Sequence, residues 1–216
     1  MRARETILAA VRAALGHTGT NVPPPASIGA ESKQLLTDLV AIRPALKDAN
    51  PVTAFAAQVT APHVGATLDR IGSLAELPVA VRRYLDEQML PHALTIQPDP
   101  ELQSLEWTGF ELRTAALPNE AASLGLARWG IAETGSLVFH SDPHTSVLNH
   151  FLALHHLAAV RVHTILPYLE DYAAVCGPPP RNVNLISGPS GTTDIEGSYV
   201  RGAHGPRFLH VILVSD

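Results

Sequence analysis

The chain has 216 residues, 46% of them hydrophobic and 16% charged, with a formal net charge of -5, which suffices for one good-sized core and only marginally for two. Its longest basic run is the pair Arg82 and Arg83, which argues against nucleic acid or an anionic membrane as the main partner. Cys176 is the single cysteine, so an internal disulfide, a Cys-based zinc site and an iron-sulfur cluster are excluded within the chain, and a reducing cytoplasm is the expected compartment.

The opening "RETILAAVRAAL" sets Ile7, Leu8, Val11 and Leu15 on one helical face, which predicts a docking helix rather than a secretory signal or an Arg-rich transit peptide. No stretch approaches the roughly 20 apolar residues of a membrane span. "GHTGTNVPPPASIGA", Gly16 to Ala30, is rich in glycine and proline and predicts an extended connector. The chain therefore divides into an N-terminal helix with its connector, residues 1–30, and a main domain, residues 31–216.

A second helix is expected over Ser32 to Lys47, with Pro44 placed to end it early. A short helix and a strand near Val64 to Arg70 follow. Ser73 and Glu76 have the Ser-x-x-Glu spacing of a capping box, and Leu77, Val81, Tyr84 and Leu85 continue at helical spacing, which predicts a helix. "HALTI" predicts a strand, "LPNEAASLG" a short helix opened by Pro118, and "ARWGIAETGSLVF" two strand segments around a break at Glu133 to Gly135. A strand in "LAAVRVHTIL", a helix in "PYLEDYAAV", a strand in "NVNLIS", a polar loop and a closing strand in "RFLHVILV" complete the chain. Helices alternating with apolar strands predict an α/β fold with a largely parallel sheet flanked by helices, in which ligands sit beyond the carboxyl ends of strands.

Three stretches carry chemistry. In "IAETGS" a carboxylate and a glycine interrupt an apolar run; Gly135 lets the chain bend and aim Glu133 at a cleft, while a plain turn between antiparallel strands with Glu133 at its tip explains the same residues. In "NLISGPSGTTDIEG" a strand runs into Gly188, Pro189, Ser190 and Gly191, then Thr192, Thr193, Asp194 and Glu196 follow. Backbone amides of such a loop can hold an anion, and Thr193 to Glu196 also spells a capping box, which leaves Asp194 as the functional candidate. No lysine follows the glycines, so this is not a Walker loop. In "RGAHGPRF" the turn at Gly205 and Pro206 carries His204 and Arg207, a proton carrier and an anion clamp. Histidines 140, 144, 150, 155, 156 and 163 crowd one window; Asp142 and Pro143 break the helix that a four-residue metal spacing needs, so they are expected to be core, surface or loop histidines without a metal.

"GIAETGSLVF", "LISGPSGTTDIEG" and "GAHGPRFLHVILV", in this order, resemble the lactate-utilisation (LUD) domain family of LutC or YkgG type, and the resemblance extends more weakly over "RETILAAVRAAL" and "SLAELPVAVRRYL". Two positions depart from that family: it commonly carries a larger residue, often arginine, where Gly191 stands, and alanine where Thr193 stands.

The resemblance implies a NagB/RpiA/CoA-transferase-like domain that serves the oxidation of L-lactate to pyruvate as a cluster-free subunit. Iron-sulfur clusters would then belong to partner proteins, with no cofactor in this chain. Carried over by residue, it implies a cleft with Glu133, Thr134 and Gly135 on one wall, Gly188 to Glu196 on another and His204 at the mouth. Glu133, Asp194 and His204 would be its catalytic groups, and Thr134, Gly135, Gly188, Pro189, Ser190, Thr192, Glu196 and Arg207 its substrate contacts, for a small hydroxy or keto acid. Two rival readings stand beside it. One is a stand-alone enzyme acting on a phosphorylated or CoA-linked small molecule, and the other is a regulatory or assembly module.

Overall fold

A computed structural model describes residues 2–14, 25–37, 40, 43–118, 120–142, 146–193 and 197–216. The chain divides into two compact units, Met1–Ala45 and Leu46–Asp216. None of the helices among the described residues is long and apolar enough to cross a membrane.

The first unit contains α1 (Arg2–Ala14) and α2 (Pro25–Thr37). The predicted N-terminal helix is present, with Ile7, Leu8 and Val11 on an exposed face; Leu15 lies outside the described residues. The expected connector through Ala30 and the expected helix over Ser32 to Lys47 both shift. The helix starts at Pro25 because proline has no N–H to lose in a first turn and its fixed φ suits that position.

The second unit opens with α3 (Pro51–Val59), whose free N–H groups at Val52 and Thr53 donate to the Asn50 side chain at 2.9 and 3.2 Å. β1 (Thr67–Ile71) follows. The predicted capping box then turns the chain: Ser73 N–H donates to the Glu76 carboxylate at 3.1 Å, and α4 (Leu77–Glu87) begins. Next come β2 (Ala93–Ile96), α5 (Pro100–Gln103), β3 (Glu111–Arg113), β4 (Ala122–Ala127), β5 (Trp129–Ile131), β6 (Ser136–His140), β7 (His155–Arg161) and β8 (Ile165–Leu166). The chain ends with α6 (Leu169–Val175), β9 (Val183–Ile186), β10 (Gly191–Thr193), β11 (Tyr199–Arg201) and β12 (Phe208–Val214).

Six strands form one sheet in the order β1-β12-β7-β4-β2-β3, and every pair in it is parallel. Strand periodicity separates its two faces. Leu157, Ala159, Ile212 and Val214 pack under Leu77, Val81 and Leu85 of α4. Ala158, Val160, Val211 and Leu213 pack with Phe55 and Val59 of α3 and with Leu137 and Phe139 of β6. A second sheet, β8-β5-β6-β9, is mixed, and Tyr172 of α6 packs on its Ile131 and Val138. The fold is therefore α/β with a mostly parallel sheet flanked by helices.

One local expectation is overturned. "LPNEAASLG" holds β4, not a helix: Ala122 to Ala127 are all buried, sandwiched between β2 and β7, and packing there overrides the helical preference of alanine and leucine. A side chain at Gly125 would collide with the rings of His150 and Phe139, each 2.9 Å from where its Cβ would lie, so glycine is what admits both rings. The expected capping box from Thr193 to Glu196 runs into residues 194–196, which lie outside the described residues. Thr193 is the last residue of β10, paired with Tyr199 in an antiparallel ribbon, so it ends a strand, while Glu196 lies outside the described residues.

Candidate functional site

A cavity of 260 Å³ opens between the amino ends of β7 and β12 and the loop that leaves the carboxyl end of β9. The lining includes His150, His156, Ser187, Gly188, Ser190 and His204. Its wall is two loops bonded to each other: Ser190 N–H donates to Pro206 O and Gly202 N–H donates to Ser190 O, both at 2.8 Å. Gly188 sits at φ +90 with the Val64 carbonyl oxygen 2.9 Å from where a Cβ would be. Both observations demand glycine. Gly188→Ala is expected to cost about 2 kcal/mol from the left-handed conformation and the crowding together. A thermal melt and limited proteolysis of the 187–206 region check this; an unchanged melting temperature would contradict it.

The floor is two imidazoles. His150 ends the 3-10 turn Val147–His150, and His156 is the second residue of β7. They are 2% and 1% exposed, with His150 Nδ1 3.3 Å from His156 Nε2. Phe139 packs on both, with ring centroids 4.1 and 5.5 Å away. The outer nitrogens, His150 Nε2 and His156 Nδ1, have no partner among the described residues, a costly state for buried polar atoms. Burial pushes the His150 pKa down to about 4. Burial, with His150 beside it, holds His156 well below the ordinary value. Both rings are therefore neutral near pH 7.

The residues singled out in the sequence are distributed as follows. Gly188, Ser190 and His204 meet at the cavity, His204 on its exposed side. Thr134 reaches it indirectly: its hydroxyl lies 2.6 Å from that of Ser136, which contacts the hydroxyl of Ser187 on the wall. Pro189, Thr192 and Arg207 do not line it, and Arg207 stacks its guanidinium over Phe208 at 5.6 Å.

Glu133 does not line it either. Its carboxylate makes a long contact, 3.5 Å, with Leu169 N–H in the first turn of α6, because β5 and β6 form the antiparallel pair whose turn carries it. Gly135 closes that turn at φ +68 and abuts the backbone of Val59. Asp194 and Glu196 lie outside the described residues. The amide of Ser190, offered to an anion by the sequence pattern, is already bonded to Pro206 O of the facing loop.

A side chain at Gly191 would run into the Tyr199 hydroxyl. Tyr199 thus fills the space that a larger residue at this position would take. The residues missed at the sequence level are Ser136, Ser187, His150 and His156; the crowding of histidines in one window was the available signal. Among the described residues no group of three or more His, Cys, Asp or Glu side chains is placed to hold a metal ion.

The LUD domain family model matches residues 100–214, more than half of the chain. Lactate utilization protein C of Geobacillus kaustophilus is 36% identical over 106 residues, which cover 45% of this chain and 44% of that protein. The uncharacterized protein YkgG of Escherichia coli is 34% identical over 106 residues, covering 45% and 46%. The chain thus matches less than half the length of these relatives. A crystal structure of a DUF162 family protein from Deinococcus radiodurans shares the fold, with a TM-score of 0.57 and 24% identity over 79% of this chain and 100% of that one. The α/β architecture, the motif-bearing loops and the family match agree: the chain belongs to the LUD domain family, and its curated relatives are of the LutC/YkgG type.

Proposed function

We propose that this chain serves lactate utilisation as a cluster-free component, and that the His150/His156/Ser190/His204 cavity takes a small organic acid. The role in lactate utilisation rests on the printed name of relatives such as that of Geobacillus kaustophilus. The ligand class rests on one observation: the cavity is small and its polar lining consists of imidazoles and serines, with neither arginine nor lysine. Its 260 Å³ is below the roughly 300–1,000 Å³ of drug-sized ligand sites, which suits a small acid better than a nucleotide-bearing thioester. A phosphate would meet no cation among the described lining residues, whereas a monocarboxylate is served by neutral donors. These points disfavour the stand-alone enzyme on phosphorylated or CoA-linked molecules.

In this reading His204 closes the mouth, Asp194 is the acid-base candidate on the segment after β10, and Glu133 steadies α6. The clusters that complete the oxidation would sit on partner proteins, since Cys176 is the chain's single thiol. The test has two arms. Calorimetric titration with L-lactate, pyruvate, glucose 6-phosphate and acetyl-CoA should give heat only with the small acids, lost in His156→Leu and unchanged in Glu133→Gln. Capture of the tagged chain from its own cells under anaerobic conditions should bring cysteine-rich cluster proteins in fixed ratio. Binding of acetyl-CoA or the sugar phosphate with no response to either acid would overturn the ligand class. Recovery of the chain alone would overturn the role as a component.

A further inference from the structure

We propose that a second cavity, beyond the carboxyl ends of β2, β4 and β7, binds an α-amino acid with an apolar side chain. It is separate from the acid cavity, which opens at the amino ends of β7 and β12.

Where the connections from two neighbouring strands of an open parallel sheet leave in opposite directions, a crevice opens beyond their carboxyl ends, and such sheets take ligands there. β2 and β4 are neighbours of that kind. The chain leaves β2 through α5 to reach β3 on one side, and leaves β4 through β5 and β6 to reach β7 on the other. The two connections also cover opposite faces of the sheet. Leu102 of α5 packs with Leu94 and Ile96 on the face of α4, whereas Leu137 and Phe139 of β6 pack on the face of α3. The crevice between them holds a cavity of 410 Å³, within the roughly 300–1,000 Å³ of small-molecule sites.

Two opposite charges in its lining keep bonding capacity that the chain does not use. Asp99 Oδ1 accepts from Glu101 N–H and Leu102 N–H at 2.9 and 3.4 Å, while Oδ2 has no partner among the described residues. Arg161 Nη2 donates to the Glu101 carboxylate at 2.5 Å, while Nε and Nη1 have none. None of these three unpartnered atoms is shut away from solvent; the Arg161 side chain is 21% exposed and Asp99 is half-buried. β2 and β7 flank β4, so their ends stand about 10 Å apart across the crevice.

The charged residues of the lining are Asp99, Glu101, Arg128 and Arg161, two of each sign. A dianion such as phosphate would gain from the arginines and lose to the carboxylates. A zwitterion uses both ends: its carboxylate accepts from Arg161, and its ammonium donates to Asp99 Oδ2. Leu126, Ala127 and Trp129 give the same cavity an apolar side, which an aliphatic or aromatic side chain would cover.

The test is calorimetric titration of the whole chain at pH 7.5 with L-leucine and L-phenylalanine, with their analogues lacking the ammonium or the carboxylate, and with inorganic phosphate. At least one amino acid should bind about ten-fold or more tightly than either of its analogues. Asp99→Asn leaves a residue able to cap α5; it should weaken the amino acid about ten-fold and leave the analogue without an ammonium within about two-fold. Arg161→Gln should weaken the amino acid and spare the analogue without a carboxylate. The indole N–H signal of Trp129 in the native chain should move with the amino acid and stay in place with L-lactate. Failure of both amino acids to bind, or binding no tighter than that of the analogues, would overturn the proposal. So would heat from phosphate alone, lost in Arg161→Gln. Amino-acid binding in a chain that takes no lactate would overturn the small-acid reading of the other cavity and leave this site standing.

Discussion

Lowering the pH from 7.5 to 4 removes several kcal/mol of folding stability from the main domain. His150 and His210 are 2% and 7% exposed, and burial pushes the pKa of each down to about 4. In the unfolded chain both titrate near 6.5. A group whose folded pKa is depressed leaves the unfolded state with the larger share of protons between the two values, so stability falls as pH falls through that window. Above about pH 7.5 almost nothing is lost. By pH 5 each histidine has cost about 2 kcal/mol, and by pH 4 about 3, which together approach the 5–15 kcal/mol typical of a whole domain.

His150 is faced by His156 from β7, Phe139 from β6 and the bare backbone of Gly125 in β4, so no carboxylate among the described residues offsets its charging there. His210 is stacked on Tyr84 at 4.3 Å and bonded through Nδ1 to the Thr67 hydroxyl at 2.8 Å. Asp69 acts to raise its pKa and Arg83 to lower it, and desolvation outweighs both. Urea unfolding at half-unit steps from pH 7.5 to 4.5 measures the slope. His150→Phe and His210→Phe should each flatten it, by about one proton per molecule between pH 6 and 4.5. A stability that stays level from pH 6.5 to 5 would show that these rings are charged in the folded state.

What could be read from the sequence depended on how local each signal was. The turn at Ser73 and Glu76, the amphipathic spacing of α4 and the apolar run Val211 to Val214 that closes β12 are written within a few neighbouring residues, and each folds as its pattern predicts. β4 is not local in that sense. "ASLGLA" has the composition of a helix, and it is a strand because β2 and β7 flank it and because Phe139 and His150 need its small residues beneath them. The second sheet was equally out of reach, since pairing β6 with β9 joins residues far apart in the chain.

The site divides along the same line. The glycine loop and the His204 turn were legible as motifs, and they meet at one cavity. The floor was not, because His150 is brought over β4 by a short turn and His156 is placed by the register of β7. Nothing in the spacing of the two histidines marks them as neighbours in space. Their density hinted at chemistry, but only the fold says which ring nitrogens lack partners.

Truncating the carboxylate of Glu120 is expected to destabilise the domain far more than truncating Glu133, the carboxylate that the sequence pattern draws attention to. Glu120 is 5% exposed and holds several elements at once. Its Oε2 accepts from the Thr95 hydroxyl of β2 at 2.9 Å and, at a longer 3.4 Å, from Leu117 N–H. Its Oε1 meets the Arg113 guanidinium of β3 at 3.3 Å, and its carbonyl accepts from Leu154 N–H ahead of β7 at 2.9 Å. Glu120→Ala removes the acceptor from a fully buried threonine hydroxyl and leaves a void where the carboxylate was, a loss of about 2–4 kcal/mol.

Arg113→Ala acts in the opposite sense, stranding a buried charge with neutral donors alone. Arg113 is 37% exposed at its side chain, so water enters in its place, and about 1–2 kcal/mol is expected rather than the larger penalty of a sealed pair. Glu133→Ala loses one long contact to α6 and should cost under about 0.5 kcal/mol. The urea midpoints of the three variants, read at pH 7.5 where the histidines are neutral, should fall in that order. If Glu120→Ala were no more harmful than Glu133→Ala, the buried carboxylate would not be what ties β2, β3 and the entry to β4 together. The triple replacement Thr95→Val, Arg113→Leu, Glu120→Leu makes the complementary case: with both side-chain partners removed, only the Leu117 N–H at the exposed end of the loop loses a long contact, and most of the loss should be recovered.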